Sequence, residues 1–274
     1  SQINGTIEDF IFIDDSLNCE IETFSFREKS GLALSNLSGS LVVDEDGLQT
    51  KRLELITPNS EIKGDLALKQ KSWSDYQDFL HSIKWDTEFS SSTINLKDVG
   101  YFVPGLYNLD FPFFVEGNIT GPIANLKGRD ISLTAGERSI FRGDFDVSGL
   151  PDAENAFIDL RIKQLSSDYY DLARIGEDFS RDETFSSKLP LELKRIGSIF
   201  FQGSFTGFPQ DFVAYGDLTT EAGSVNLDLN VESDSLSEQL SYEGGISTKN
   251  LNIGRLFDIK EFGTVAVNAN VTAF

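Results

Sequence analysis

The sequence predicts an all-β protein, and three observations lead to that prediction. Phenylalanine and glycine each occur 23 times. Phe-rich segments joined by turns that contain glycine and asparagine are typical of β-strands connected by short turns. Apolar and polar residues alternate along most of the chain, as they do in strands with one buried face. Helical periodicity is confined to short stretches. We therefore expect one elongated sheet with two or three short helices.

A short unit recurs along the chain and is the basis of this prediction. Residues 60–68 and 139–147 share a serine, a basic residue, a glycine, an aspartate and several apolar positions at equal spacing. Looser copies lie at residues 223–231 and 263–271. Because successive side chains of a strand point to opposite faces, each unit predicts a strand that is apolar on one face and polar on the other.

The first part of the chain reads as strands joined by turns. Alternation predicts a hairpin of residues 5–13 and 19–27, and then strands at residues 31–37, 40–43, 51–56 and 60–68. The acidic segment 44–47 suggests a calcium site, because hard cations bind clustered carboxylates. It lacks the ligand spacing and the bidentate glutamate of a calcium loop, so we interpret it as a turn.

The period changes to that of a helix in three places, which are residues 74–83, 167–179 and 252–257. We expect Ser74 to cap the first helix and Ser166 or Ser167 to cap the second. The polar run at residues 180–187 predicts a loop. The remaining alternating segments predict strands at residues 85–96, 111–119, 126–133, 156–163, 196–208, 212–219, 225–231, 242–248 and 263–271.

Composition restricts the function classes. The formal net charge of −21 argues against nucleic acid as a partner, because phosphate binding needs a concentrated basic surface. The chain begins at Ser1 and contains no methionine, so we expect a piece of a longer polypeptide. No apolar run approaches the roughly 18 residues of a membrane span, which predicts a soluble segment. No linker divides residues 1–274, which we interpret as one continuous segment.

Residues that could carry chemistry are few. Cys19 is the single cysteine and lies in an alternating segment, so we expect a buried apolar side chain rather than a reactive thiol. His81 is the single histidine and lies off the apolar stripe of its helix, which predicts a surface position. The sequence has no nucleophile motif, phosphate loop or metal-ligand spacing. We therefore predict a protein that is not an enzyme and that has no cofactor or metal.

Several segments resemble a known family. Residues 242–257 followed by 262–265 resemble the repeat of the AsmA-like proteins, and most closely the translocation and assembly module (TamB) family. Residues 149–160 and 203–216 are similar to members of that family of the Bacteroidetes type. The resemblance covers nearly the whole chain. Each motif is degenerate, but their order is fairly specific.

The resemblance implies a β-taco, which is a long sheet curled lengthwise into a U-shaped groove with an apolar interior and a polar exterior. Family members are anchored in the inner membrane and cross the periplasm to the outer membrane. They are implicated in the assembly of outer-membrane proteins with a barrel of the TamA type, and in the transport of phospholipids between the membranes. We expect the anchor and the barrel-contacting region to lie outside this chain.

The residues are consistent with that shape. If about 16 strands stack at about 4.8 Å, the sheet extends to roughly 75 Å, and its apolar face suits an acyl chain. The predicted lining residues are Phe141, Phe145, Val147, Ile158, Leu160, Ile162, Phe201, Phe205, Leu227, Leu229, Val265 and Val267.

Three alternatives remain. Each lining residue would be an ordinary core residue if a second sheet packs on the first. The chain would be a scaffold if an open sheet edge pairs with nascent outer-membrane strands by β-augmentation. A compact adhesin-like or sugar-binding β-sandwich is the third possibility.

Overall fold

The computed structural model is all-β, as the sequence predicts. It describes residues 2–29, 31–101, 109–152, 155–180, 189, 191–234 and 239–273. The strands form one 15-stranded sheet in which each strand pairs with the next along the chain. Every pairing whose register is described is antiparallel. The sheet is therefore built from pairings between strands that are consecutive in sequence.

The chain divides into two compact units. Unit 1 is Ser1–Leu133 and unit 2 is Thr134–Phe274. The strands are β1 (Gln2–Ile13), β2 (Ser16–Arg27), β3 (Ala33–Asp44), β4 (Gly47–Ile56), β5 (Glu61–Lys69), β6 (Lys84–Asn95), β7 (Pro112–Gly121), β8 (Asn125–Ala135), β9 (Ser139–Ser148), β10 (Phe157–Ser167), β11 (Ile199–Phe208), β12 (Asp211–Thr220), β13 (Gly223–Asp234), β14 (Gln239–Asn252) and β15 (Thr264–Ala273).

Short helices connect some of these strands. A 3₁₀ helix (Trp73–Asp78) runs directly into α1 (Phe79–Ser82), and together they cover the first predicted helix. The other helices are α2 (Leu96–Val99), α3 (Tyr169–Ser180), α4 (Leu191–Arg195) and α5 (Ile253–Phe257). The helices predicted at residues 167–179 and 252–257 are thus observed. Neither α2 nor α4 was predicted: α2 has only four residues, and α4 lies in a stretch to which no element was assigned.

The predicted helix caps at Ser74 and at Ser166 or Ser167 are wrong. Ser72 precedes the 3₁₀ helix, and its backbone N–H donates to Asp75 at 3.2 Å. Asp168 precedes α3 and accepts the backbone N–H of Asp171 at 2.9 Å. In both places several polar residues are adjacent in sequence, so the cap is decided by where the backbone leaves the strand.

One strand was predicted as two. Residues 31–37 and 40–43 were separated at Gly39, but β3 runs through that glycine. Gly39 has a φ of +133°, and the β3–β4 register shifts between Ser38 and Ser40. The glycine therefore marks a β-bulge rather than a turn. This merger accounts for 15 strands where about 16 were expected. Residues 181–187 of the predicted loop lie outside the described residues.

The acidic segment between β3 and β4 is a tight turn. Oδ1 of Asp44 accepts the backbone N–H groups of Asp46 at 3.0 Å and Gly47 at 3.1 Å. Gly47 adopts a φ of +142°, which only glycine tolerates easily. The aspartate thus satisfies the backbone donors of its own turn, as the turn interpretation predicted.

The two singled-out side chains lie where the sequence placed them. Cys19 on β2 is buried at 6 % exposure, and burial, with a smaller effect from the Glu20 carboxylate, raises the pKa of its thiol. A raised pKa leaves little thiolate at neutral pH. His81 is exposed, with its Nδ1 2.7 Å from the carboxylate of Asp78.

Candidate functional site: an apolar sheet face

All of the predicted lining residues lie on one face of the sheet in unit 2. The register places Leu160 opposite Phe145 on one side and opposite Phe205 on the other. Ile158 lies opposite Val147, and Ile162 occupies the next row of the same face. The pairing continues to Leu227, Leu229, Val265 and Val267 on β13 and β15. We call this surface the apolar face of unit 2.

Two rows that cross this face are apolar or glycine at each position described, whereas the row of Val267 includes Thr248. One row is Phe145, Leu160, Phe205, Ala214, Leu229 and Gly244. The next row is Gly143, Ile162, Gly203, Gly216, Leu227, Ile246 and Ala269. Six or seven strands thus contribute to a surface that changes little in chemistry from strand to strand.

The opposite face of the same strands is predominantly polar. Asp144 and Asp146 lie opposite Arg161 and Asp159, and Asn226 lies opposite Asp217 with an amide-to-carboxylate hydrogen bond of 3.0 Å. Some apolar side chains interrupt it, since Val213 is 48 % exposed and Tyr215 is 55 % exposed. The polar positions nevertheless follow the alternation that defines the apolar face.

Most lining residues are half-buried rather than enclosed. Ile162 is the exception at 7 % exposure, and Val267 is at the other extreme at 39 %. Phe145, Leu160 and Leu229 fall between these limits. Residues enclosed between two sheets would mostly be fully buried. The observed range of side-chain exposure is that of a sheet face whose residues contact one another along the sheet and keep partial access to solvent.

Phenylalanine rings lie along this face above glycines. A Cβ added to Gly203 or Gly216 would meet the ring tip of Phe201 at 2.9 Å or 2.7 Å. A Cβ added to Gly143 would meet the ring tip of Phe141 at 3.2 Å. Because the glycines provide no side chain, the rings can cover the adjacent backbone and lie against the sheet. The rings therefore fill the space above the glycines and make the surface of the face more even.

The predicted lining omitted several residues of this face. The register adds Phe212, Ala214 and Leu218 of β12, Val225 of β13 and Ile246 of β14. The alternation of residues 212–219 carried the signal. Strand pairing was needed to show which of the alternating residues of β12 lie on the same face as Leu227 and Phe205.

Unit 1 has an apolar face of its own, which the predicted lining did not include. Leu17, Val43, Leu48, Leu68 and Trp85 form one continuous row across β2 to β6. The indole of Trp85 packs edge-on against Phe79 of α1, with ring centroids 6.2 Å apart. The first repeat unit, at residues 60–68, carries the same alternation as the second. It was therefore a detectable signal for this second face.

Polar groups mark the end of the unit 2 face. The carboxylate of Asp171 on α3 accepts the backbone N–H groups of Glu137, Arg138 and Ser139 at 2.6–3.2 Å. The Ser139 hydroxyl donates to it at 3.1 Å. Burial would raise the pKa of Asp171, but these hydrogen bonds outweigh burial and lower it. The neighbouring Asp168 carboxylate accepts from Arg138 at 2.8 Å.

Acid is expected to weaken this connection. The pKa of Asp171 in the folded protein lies below the ordinary aspartate value of about 3.9. Its contribution to stability is therefore complete above that value and is lost as the pH falls through the folded pKa. Urea unfolding at about pH 5 and about pH 3 should show a larger loss of stability for the natural chain than for Asp171→Asn. Equal losses in the two proteins would contradict this assignment.

No helix in the described part of the chain is long and apolar enough to cross a membrane. Comparisons of this chain with protein-family models, with curated proteins and with solved structures found no match.

Proposed function

We propose that the apolar face of unit 2 conducts phospholipid acyl chains between the inner and outer membranes. In this proposal the sheet curls lengthwise into a U-shaped groove, the β-taco, and the face lies inside. The observation that carries it is the shared face of all the predicted lining residues, in register across β9 to β15. A core residue would be enclosed, whereas most of these side chains keep partial access to solvent.

The energetics favour a lipid tail as the occupant. An acyl chain of about 15 methylenes costs on the order of 12 kcal/mol to expose to water, at about 0.8 kcal/mol for each methylene. A continuous apolar surface removes most of that cost. Phe201 and Phe141 lie along the sheet above glycines, so the surface offers many similar contacts and no single deep pocket. Such a surface favours movement over tight binding.

The wider setting is part of the same proposal. The full-length protein is anchored in the inner membrane by a segment outside this chain and reaches the outer membrane through the periplasm. There it meets an outer-membrane barrel of the TamA type, again through parts outside this chain. The polar face, which carries Asp144, Asp146 and Asp228, would face the aqueous periplasm.

A charge on the apolar face tests the proposal. Leu229→Asp should reduce the lipid that copurifies with this chain, measured by mass spectrometry of extracted lipids, by about tenfold or more. A carboxylate that displaces two or three methylenes from the wall costs about 2 kcal/mol. The matched control is Asn230→Asp, which places the same charge on the opposite face of the same strand.

The outcomes separate the possibilities. A folded Leu229→Asp protein with unchanged copurifying lipid would contradict the conduit. If that variant fails to fold, Phe145→Asp on β9 provides the second measurement. Circular dichroism would establish folding for each variant before lipids are compared. Absence of lipid from the natural chain would also count against the proposal.

A second candidate function rests on β1. This strand is the first of the sheet order, and Phe10, Phe12 and Ile3 are 65–68 % exposed. An exposed edge with apolar side chains can pair with another strand through its backbone. In that case the chain is a scaffold for the assembly of outer-membrane β-barrel proteins by β-augmentation. Copurifying lipid would then be unaffected by Leu229→Asp, and a proline in β1 would abolish the capture of outer-membrane strand peptides.

A further inference from the structure

Three helices recur at an interval of four strands, whereas the 3₁₀ helix with α1, after β5, and α4, after α3, fall outside this interval. The helix α2 follows β6, α3 follows β10, and α5 follows β14. One such helix therefore appears after every fourth strand. Each of them also contacts a hairpin turn through polar side chains, and the turns follow the same count. They are the turns β4–β5, β8–β9 and β12–β13.

The first contact joins α2 to the β4–β5 turn within unit 1. Oδ2 of Asp98 accepts the hydroxyls of Thr57 at 2.5 Å and Ser60 at 2.6 Å. Its Oδ1 accepts the side-chain amide of Asn59 at 2.8 Å. The Ser60 hydroxyl oxygen in turn accepts the backbone N–H of Asn95 at 3.0 Å. Asn95 caps α2, so the turn and the helix start share one network.

The second contact joins α3 to the β8–β9 turn and has the same plan. Asp171 accepts three backbone N–H groups and the hydroxyl of Ser139, as described above. The Ser139 hydroxyl also lies 2.7 Å from the hydroxyl of Ser167. Gly136 has a φ of +67° in this turn, and its Cα faces the Asp171 carboxylate so closely that a Cβ would lie 2.7 Å from both oxygens.

The third contact joins α5 to the β12–β13 turn with the charges exchanged. Here the helix supplies the cation, because the guanidinium of Arg255 forms an ion pair with the carboxylate of Glu221. The same guanidinium donates to the carbonyl of Glu221 at 3.1 Å and to that of Arg195 at 2.9 Å. The helix is again tied to the hairpin turn two strands back.

The repeat units in the sequence coincide with this arrangement. Ser60 and Ser139 are the first residues of the two closely matched units, and both donate to the helix aspartate. In the third copy Gly223 takes the serine position, and the ion pair replaces the hydroxyl contact. The fourth copy lies on β15, which is not four strands further on. The serine of the unit therefore has the same role in both copies whose helix carries an aspartate.

We infer that the sheet is a tandem array with a period of four strands, in which a polar clasp holds the helix after every fourth strand, from β6 onward, against the hairpin turn two strands back. The clasps are Asp98 with residues 57–60, Asp171 with residues 137–139, and Arg255 with Glu221. The three clasps share no residue with one another, so each should open independently of the others. This inference does not depend on what the apolar face binds.

Hydrogen exchange of the full chain tests the clasps, because backbone amides take part in them. Asp171→Asn should accelerate exchange of the amides of residues 137–139 by about tenfold or more, since hydrogen bonds to a charged acceptor are the stronger kind. The amides of residues 59 and 60 donate to the Thr57 hydroxyl and the amide of residue 95 donates to the Ser60 hydroxyl, both of which Asp98 holds, and these three amides should be unaffected. Asp98→Asn should produce the reverse pattern, and Asp46→Asn, in an exposed turn, should change neither region.

Two results would overturn the inference. One is that either variant accelerates exchange equally in both regions, since that would make the clasps one cooperative structure. The other is unchanged exchange in the clasped turn itself. The milder variants Ser139→Ala and Ser60→Ala each remove one donor, and they decide the question by the same two criteria if an aspartate variant does not fold. For the third clasp, Arg255→Gln should accelerate exchange of the Ser198 amide, which donates to the Glu221 carboxylate at 3.4 Å, and leave the other two regions unchanged.

Discussion

Gly64→Ala is expected to destabilise the protein by about 3 kcal/mol or more. Gly64 lies on β5 with a φ of +146°, a conformation that alanine adopts only under strain. A Cβ at this position would also overlap the backbone carbonyl of Glu88 on β6. Neither group can move without breaking the β5–β6 pairing beside a register shift. The backbone strain and the loss of strand pairing therefore both contribute to the expected loss of stability.

The matched control for this substitution is Gly263→Ala. A Cβ at Gly263 would meet nothing within 4 Å, so its effect should stay within about 0.5 kcal/mol. Urea unfolding followed by circular dichroism measures both variants. Equal stabilities of the Gly64 and Gly263 variants would show that the β5–β6 pairing adapts, and that the glycine of the repeat unit has no structural role.

Ile162→Asp is expected to have an effect of similar size, about 4 kcal/mol. Ile162 is 7 % exposed at the centre of the apolar face, between Gly143 and Gly203 on the neighbouring strands. A carboxylate there loses its hydration without gaining a partner from the apolar row, and a buried unpaired charge is among the most destabilising changes known. The thermal unfolding midpoint should therefore fall sharply.

The control for this variant lies on the same face. Val267→Asp introduces the same charge at a position that is 39 % exposed on β15, and we expect a loss below about 1 kcal/mol because the carboxylate keeps most of its water. The contrast tests the gradation of exposure along the face. If both variants lose the same stability, the face is uniformly covered, and the access that the transport proposal requires is absent.

Local alternation predicted the strands of this protein well. The segments 126–133, 212–219 and 225–231 all lie within observed strands, because the parity of apolar residues depends only on neighbours along the chain. The residues that parity grouped on each strand share one face in the observed register. The failures occurred at glycines and caps. Gly39 was interpreted as a break although it forms a bulge, and Asp168 rather than Ser167 caps α3.

The polar clasps show a different limit. Nothing in the pattern around Asp98 or Asp171 distinguishes these residues from other acidic residues in a chain of net charge −21. Their partners are about 30 to 40 positions away in sequence. Only the pairing of intervening strands brings the helix and the turn together. The serine shared by the two repeat units was visible, but its role was not.

The sequence by itself determined the secondary structure class and the two-sided character of each strand, since both follow from the order of apolar and polar residues. The tertiary structure decided which strands pair, in what register, and therefore that Phe145, Leu160, Phe205 and Leu229 share one row. It also decided which carboxylates accept hydrogen bonds from the residues of a hairpin turn. The physical reason is that hydrogen bonding between strands is common to all backbones, so register is selected by the side chains that meet across the sheet.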